Sequence, residues 1–462
     1  MESAKKTVCE ATSWASLVVL TLSLALSTAA FGRGAKRHPT PPVPDMTMDQ
    51  WFSQQELSGH RLTPLYDGPD LKAARVDILA AAQRSVYISG YAVNTPGDHT
   101  WEPGSLFPLL CQKAQEGKDV RILADHRGSY DLPKVEKRLR DCGVKIIYYA
   151  PMSWGLAKLP FILHEKLMII DGETVILGGS GYGEHYNEAG RDSGKWYDMD
   201  MKVEGPAACR FQRKFADSWA RSVKLDKDSR QTPGSGPMAA SEAEYRYSLR
   251  GVQGCEERSA PGGGSHVVPL HNNPLWSGSR PLLDAYLRAI HSTHDGGRIR
   301  LLAPYFTPTP PFTAALVDAI KNHHIQVDIL TNSPTSQDEH DFVVIGTYYM
   351  AQKILRAGGH IWMWDTKATM HRKGGIFDDR WAVFGSDNLD NRGQEWSSES
   401  IVVTDDAEVI RSLNAEMDAD HLPQPGNGKP HMHELTKKEI LDHFNSTSDL
   451  EKLGAAWARW MM

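Results

Sequence analysis

Arg84-Ser85-Val86-Tyr87-Ile88-Ser89-Gly90-Tyr91 is a β-rich apolar run that follows an amphipathic helical pattern from Leu71 to Gln83. The same order of signals returns at Arg298-Ile299-Arg300-Leu301-Leu302-Ala303-Pro304-Tyr305, after the pattern Leu282 to Ile290. Outward from each run the correspondence continues. Asp119-Val120-Arg121-Ile122-Leu123-Ala124-Asp125 matches Gln326-Val327-Asp328-Ile329-Leu330-Thr331-Asn332, both buried-strand patterns ending in a polar loop. A helical segment then closes on Leu139-Arg140-Asp141-Cys142-Gly143 in one copy and on Leu355-Arg356-Ala357-Gly358-Gly359 in the other. Strands Lys145-Ile146-Ile147-Tyr148-Tyr149 and Ile361-Trp362-Met363-Trp364 follow. Strands alternating with helices predict an α/β protein of two similar domains, each a sheet flanked by helices.

Composition agrees with a folded globular chain and bounds its partners. Of 462 residues 40% are hydrophobic and 23% charged, which excludes collagen-like or wholly disordered readings. The 51 basic and 57 acidic side chains leave a net charge of -6, which argues against a protein built to wrap nucleic acid. Lys5 and Lys6 precede an apolar run from Trp14 to Ala25 that ends in small residues around Ser27 to Ala30, so residues 1–30 are expected to be a signal peptide or an amino-terminal anchor, and the protein to be exported, periplasmic or secreted. A Pro-rich spacer is expected over 31–60, the first domain over 61–225, a Pro/Gly/Ser-rich linker over 226–265, the second domain over 266–422 and a tail over 423–462. Cys9 lies in the targeting segment. Cys111, Cys142, Cys209 and Cys255 permit disulfides in an exported protein, without a CxxC spacing and with the connectivity open.

The chemistry lies at the end of each copy, in H-x-K-x-x-x-x-D. The first is His164-Glu165-Lys166-Leu167-Met168-Ile169-Ile170-Asp171 and the second His371-Arg372-Lys373-Gly374-Gly375-Ile376-Phe377-Asp378. Side chains two apart on a strand share a face, so in each copy an imidazole and an ammonium converge on one anion, and a phosphate fits that pair. Seven residues beyond each Asp stands a small-residue turn, Gly178-Gly179-Ser180 and Gly385-Ser386-Asp387-Asn388, which suits close approach of phosphate oxygens. Each copy offers half of a reactive pair, so the two are expected to build one site, with His164 and His371 facing each other across a pseudo-two-fold interface.

With these motifs the chain resembles the phospholipase D superfamily, whose signature is the duplicated motif with a following G-[GS]-x-N. Gly385-Ser386-Asp387-Asn388-Leu389-Asp390-Asn391-Arg392 with Glu399 downstream is similar to the bacterial cardiolipin synthase pattern. So are Trp196-Tyr197-Asp198, Val203-Glu204-Gly205-Pro206-Ala207 with Phe211, Phe215 and Trp219, and Pro304-Tyr305-Phe306-Thr307-Pro308. The sequence departs from the pattern at Gly181, where Asn is usual, and over Gly393-Gln394-Glu395-Trp396-Ser397.

The resemblance implies two phospholipase D-type domains of mixed sheet and helices, and a phosphohistidine intermediate resolved by water or an alcohol. By that likeness His164 is the nucleophile and His371 the acid and base. Lys166 and Lys373 would carry the charge of the pentacoordinate phosphorus, with hydrogen bonds from Ser180, Ser386 and Asn388. Asp198 and Glu399, 34 and 28 residues after His164 and His371, suit the orientation of the imidazoles. Asp171 and Asp378 belong to the catalytic motifs and are expected to hold their turns. No metal or other cofactor is expected, and His431-Met432-His433 is expected to be solvated. From Gly143 the first copy takes 21 residues to its histidine and from Gly359 the second takes 12; the extra residues fall in the apolar stretch 151–161, either a buried loop or an acyl-chain lip facing a membrane. Phospholipid is the expected substrate at a membrane surface, with nucleic acid an unlikely partner, a secreted nuclease the alternative and the oligomeric state unassigned.

Overall fold

The computed structural model describes residues 45–94, 105–151, 160–188, 190–230, 264–339, 341–425 and 428–447, with Gly155, Lys158, Cys255 and Glu257 singly. The expected targeting segment 1–30, the spacer as far as residue 44, most of the 226–265 linker and most of the 151–161 insert lie outside the described residues. Among those described, no helix is long and apolar enough to cross a membrane.

The first copy supplies strands β1 (Leu57–Leu65), β2 (Ser85–Gly90), β3 (Asp119–Asp125), β4 (Lys145–Tyr149), β5 (Ile162–Leu163), β6 (Lys166–Ile170), β7 (Thr174–Gly178) and β8 (Asp200–Glu204). The second supplies β9 (Ser265–Asn272), β10 (Arg298–Leu302), β11 (Gln326–Asn332), β12 (His360–Trp364), β13 (Gly374–Phe377), β14 (Trp381–Gly385), β15 (Ser397–Thr404) and β16 (Met432–Glu434). One sheet per copy was the expectation. The strands instead run in a single order, β16-β12-β11-β10-β13-β14-β15-β9-β1-β8-β7-β6-β2-β3-β4, because β1 pairs with β8 on one edge and with β9 of the other copy on the other. From that seam outward the halves repeat. In each, three parallel strands (β2-β3-β4; β10-β11-β12) follow an antiparallel run that carries the motif strand, β6 or β13.

Alternation within the strands sorts the core into layers. Val86 and Ile88 of β2 turn outward onto Leu71, Leu79 and Phe107, whereas Tyr87 turns inward to Leu123, Phe211 and Phe215. Ile299 and Leu301 of β10 likewise face helical Leu283, Tyr286 and Phe312, while Leu302 faces the same inner core as Tyr87. That inner layer holds residues of both copies, including Phe211 and Trp219 of helix Ala207–Arg230 and Leu413 and Met417 of helix Ala407–Ala419. Each such side chain, when fully buried, contributes roughly 1.5–3 kcal/mol, which is what holds the halves together.

Cys111 pairs with Cys142 and Cys209 with Cys255. The first pair ties helix Leu106–Gln115 to the residue that ends helix Pro133–Asp141. The tail is part of the sheet, since β16 adds to β12 with Trp364 opposite Met432 and Trp362 opposite Glu434. His431 is therefore not solvated as expected. It is 2% exposed and stacked on Trp364, with Nδ1 against the Leu422 carbonyl and Nε2 against Asp192. The tail pairs the backbone groups on the outer edge of β12.

Candidate active site

Both histidines precede their motif strands, at the end where β2 and β10 run out into Tyr91 and Tyr305. His164 Nδ1 lies 2.7 Å from Glu399 Oε1, and His371 Nδ1 lies 2.6 Å from Asp198 Oδ2. The expected orienting acids are the right residues on the opposite partners: each imidazole is held by the carboxylate of the other copy. The backbone causes the crossing. β5 pairs in parallel with β15, so Ser398 accepts the N–H of His164 at 2.9 Å and delivers the next residue, Glu399, to the ring. In the other half Tyr197 bridges Met370 and accepts the N–H of His371 at 2.7 Å, delivering Asp198.

Lys166 Nζ is 2.9 Å from His164 Nε2 and donates to the His164 carbonyl at 2.6 Å. Lys373 Nζ donates to the carbonyl of His371 in the same way. All of these groups are buried, and burial dominates their electrostatics. It pushes His164 well below the usual histidine range, reinforced by Lys166 and Lys373, which favours the neutral ring. It brings Lys166 down to about 7 and Lys373 to about 8, and raises Glu399 to about 8 against the pull of Lys166. Asp198 is raised by burial too, opposed by Lys373 and by the Met199 N–H. The aromatic walls are Tyr91, 5.2 Å from the His164 ring, and Trp196 and Tyr305, 4.5 and 6.1 Å from the His371 ring.

The small-residue turns pack against the orienting acids. A Cβ on Gly179 would collide with the Asp198 carboxylate, so this glycine makes room for the orienting acid. Ser386 Oγ donates to Glu399, and Ser180 is hydrogen-bonded to the buried Asp200 carboxylate. Asn388 Nδ2 is 3.3 Å from Asp390. In this arrangement both serines hydrogen-bond buried carboxylates. Asp171 and Asp378 stand at the far end of the motif strands, about 23 Å along the chain from their histidines at ~3.3 Å per residue. Asp171 accepts the N–H groups of Gln83, Arg84 and Ser85 at 2.7 to 2.8 Å, and Asp378 accepts from His294. They are turn-holding groups and touch no reacting atom.

Reading the motifs alone passes over the residue between each His and Lys. Glu165 and Arg372 point to the opposite strand face, into the inner core, and both are fully buried. Glu165 is paired with Lys214 and accepts from Ser89 at 2.5 Å and from Ser400 of the other copy at 2.9 Å. Arg372 is paired with Asp420 and lies 4.0 Å over the ring of Tyr197 from the other copy. A charge at a strand position whose neighbours are all buried was the available signal.

Two histidine–lysine pairs contributed by two copies of one sheet motif, each imidazole completed from the opposite copy, define a phospholipase D-type phosphodiester site. The family model for the cardiolipin synthase, PLD-like domain matches residues 76–219 and 286–421, and the chain belongs to that family and is an enzyme of the phospholipase D type. It is 27% identical over 406 residues to cardiolipin synthase A of Pseudomonas entomophila, covering 87% of this chain and 74% of that one. It is also 27% identical over 357 residues to the cardiolipin synthase of Oceanobacillus iheyensis, covering 77% and 67%. The crystal structure of phosphatidylserine synthase from Haemophilus influenzae superposes with a TM-score of 0.60 at 15% identity, covering 90% of this chain and 99% of that one, a likeness of fold.

Proposed function

We propose that the protein transfers a phosphatidyl group from a phospholipid through a phosphohistidine at His164, to an alcohol acceptor or to water. The observation that carries this reading is the crossed pairing, which aims the Nε2 atoms of both imidazoles away from their carboxylates. In the first step the His164 Nε2 lone pair forms the N–P bond as the P–O bond to the head-group alcohol breaks, and the leaving oxygen takes the proton of His371 Nε2. In the second step the acceptor hydroxyl gives its proton back to His371 while its oxygen attacks phosphorus and the N–P bond breaks. Lys166 and Lys373 neutralise the phosphoryl oxygens throughout. Cardiolipin synthase likeness supports phospholipid over nucleic acid, as do the net charge of -6 and the apolar stretch 151–161, which suits a membrane-facing lip. The start of the chain supports export, with residues 1–30 cleaved or retained as an anchor.

Purified protein incubated with phosphatidylglycerol, phosphatidylethanolamine and single-stranded DNA in parallel, acid-quenched and digested, tests the reading. The phosphatidyl group is expected on the peptide containing His164. A label on His371 reverses the roles, and labelling from oligonucleotide alone replaces the lipid reading with a nuclease.

A further inference from the structure

We infer that Tyr197 is a positioning residue for His371, and that the C-terminal segment 428–434 acts on catalysis through it; the inference rests on His371 being the proton donor of the reading above. Tyr197 meets the histidine's surroundings at every level. Its N–H donates to Thr369 and its carbonyl accepts from His371, both at 2.7 Å, and the residue after it, Asp198, holds the imidazole. Its ring lies under the Arg372 guanidinium at 4.0 Å and stacks on Trp364 at 5.3 Å. Burial holds its phenol well above the usual range, so the hydroxyl stays a donor, and it donates to Glu416 while accepting from Arg191 at 3.0 Å. Arg191 in turn reaches Glu416 at 2.6 Å and Asp420 at 3.1 Å, and Asp420 carries Arg372.

Two further contacts extend this chain to the tail and return it to the site. Trp364 also stacks with the ring of His431, 5.4 Å away, whose Nε2 meets Asp192 at 2.8 Å. Asp192, Arg191 and Trp196 belong to one loop, and Trp196 rests edgewise on His371 at 4.5 Å. The tail, the loop and the helix Ala407–Ala419 thus converge on Tyr197, and a shift in any of them moves the proton donor.

Among the described residues, His164 has no counterpart of Tyr197 beside it. The residue that stands before the orienting acid on that side is Ser398 of the second copy, whose carbonyl accepts from His164 and whose hydroxyl donates to the Asn272 carbonyl at 3.2 Å. The asymmetry suits the two roles. The nucleophile is held by the N–P bond once that bond forms, whereas the acid must keep its Nε2 aimed at an oxygen that leaves in one step and arrives in the next.

Leaving-group dependence separates positioning from mere folding. A phospholipid expels an alkoxide, which needs the His371 proton; a p-nitrophenyl phosphodiester expels an aryloxide, which does not. Tyr197→Phe keeps the ring, the stacking and the backbone bonds and removes the hydroxyl. It is expected to lower kcat on phosphatidylglycerol about tenfold or more at unchanged KM, and to leave the burst of p-nitrophenol near the wild-type rate. Glu416→Gln, at the other end of the same hydrogen bond, gives a second reading should Tyr197→Phe fold poorly, and His431→Ala should show the same selectivity through the tail. An equal loss on both substrates, or no loss on phospholipid, overturns the inference. His371→Ala is the control: if it slows both substrates alike, the role given to His371 fails, and that outcome is distinct from a failure of Tyr197.

Discussion

Glu399 reaches back 235 positions along the chain to hold Nδ1 of His164 at 2.7 Å, and Asp198 reaches forward 173 positions to hold His371 at 2.6 Å. Neither half of the molecule completes its own catalytic imidazole. If His164 is the nucleophile and His371 the proton donor, as proposed, the crossed arrangement makes the two acids separable by kinetics.

Glu399→Gln is expected to reduce turnover by about 10²–10⁴-fold and to abolish phosphatidyl labelling of His164, since an amide can turn its NH2 toward Nδ1 and hold the tautomer whose Nε2 carries the proton. Asp198→Asn should reduce turnover comparably yet still accumulate label from a substrate with a good leaving group. Acid-quench mass spectrometry of the two variants distinguishes them; identical labelling behaviour would falsify the crossed assignment of roles.

Gly179→Ala should imitate loss of Asp198, because the added methyl occupies the space of that carboxylate. The expected result is a large fall in kcat with the melting temperature lowered far less than a core cavity would lower it. Activity close to wild type would mean that the turn has room to spare.

The pH profile follows from the buried cluster. Lys166 and Lys373, lowered to about 7 and about 8 by burial, lose their charge as pH rises through that range, and Glu399, raised to about 8, gains its own. Both changes make the free site more negative and less able to accept a phosphodiester. kcat/KM should fall as pH increases beyond about 7–8, while kcat holds to higher pH because bound phosphate keeps the lysines protonated. His164, already neutral, places no acid limb near pH 6. A kcat/KM that rises steadily from pH 7 to 9 would contradict this.

Lys214→Met leaves the Glu165 carboxylate buried without its ammonium and should destabilise the fold by about 3–5 kcal/mol. Adding Glu165→Gln removes the charge and should recover most of that loss, measured by urea denaturation of the two variants. A double variant no more stable than the single one would show that packing, not charge, sets the cost.

Replacing Cys111 and Cys142 by Ala opens a 31-residue span and is expected to cost about 3–4 kcal/mol, with activity retained at low temperature because the pair joins helices on the outer face. Activity of the intact enzyme in excess chelator is expected to persist, since two lysines supply the charge that a cation otherwise would. Turnover lost to chelator and restored by a divalent ion would refute that expectation.

The duplicated α/β plan and the two His-Lys pairs were legible before any folding was considered. Strand periodicity and a repeat at matching offsets are local properties, and the two His-Lys pairs lie two residues apart in each motif, so no long-range folding is needed to recognise them. Asp198 and Glu399 were also legible as acids, from their place after each turn. Which imidazole each acid serves was decided only by tertiary structure, because the parallel pairing of Ile162–Leu163 with β15 and the isolated bridge from Tyr197 to Met370 join segments from opposite copies. The same holds for the buried pairs Glu165–Lys214 and Arg372–Asp420, and for His431. A charged or polar residue looks solvated in sequence until the chain supplies its partner, and here each partner comes from a helix or loop folded against the strand from far along the chain.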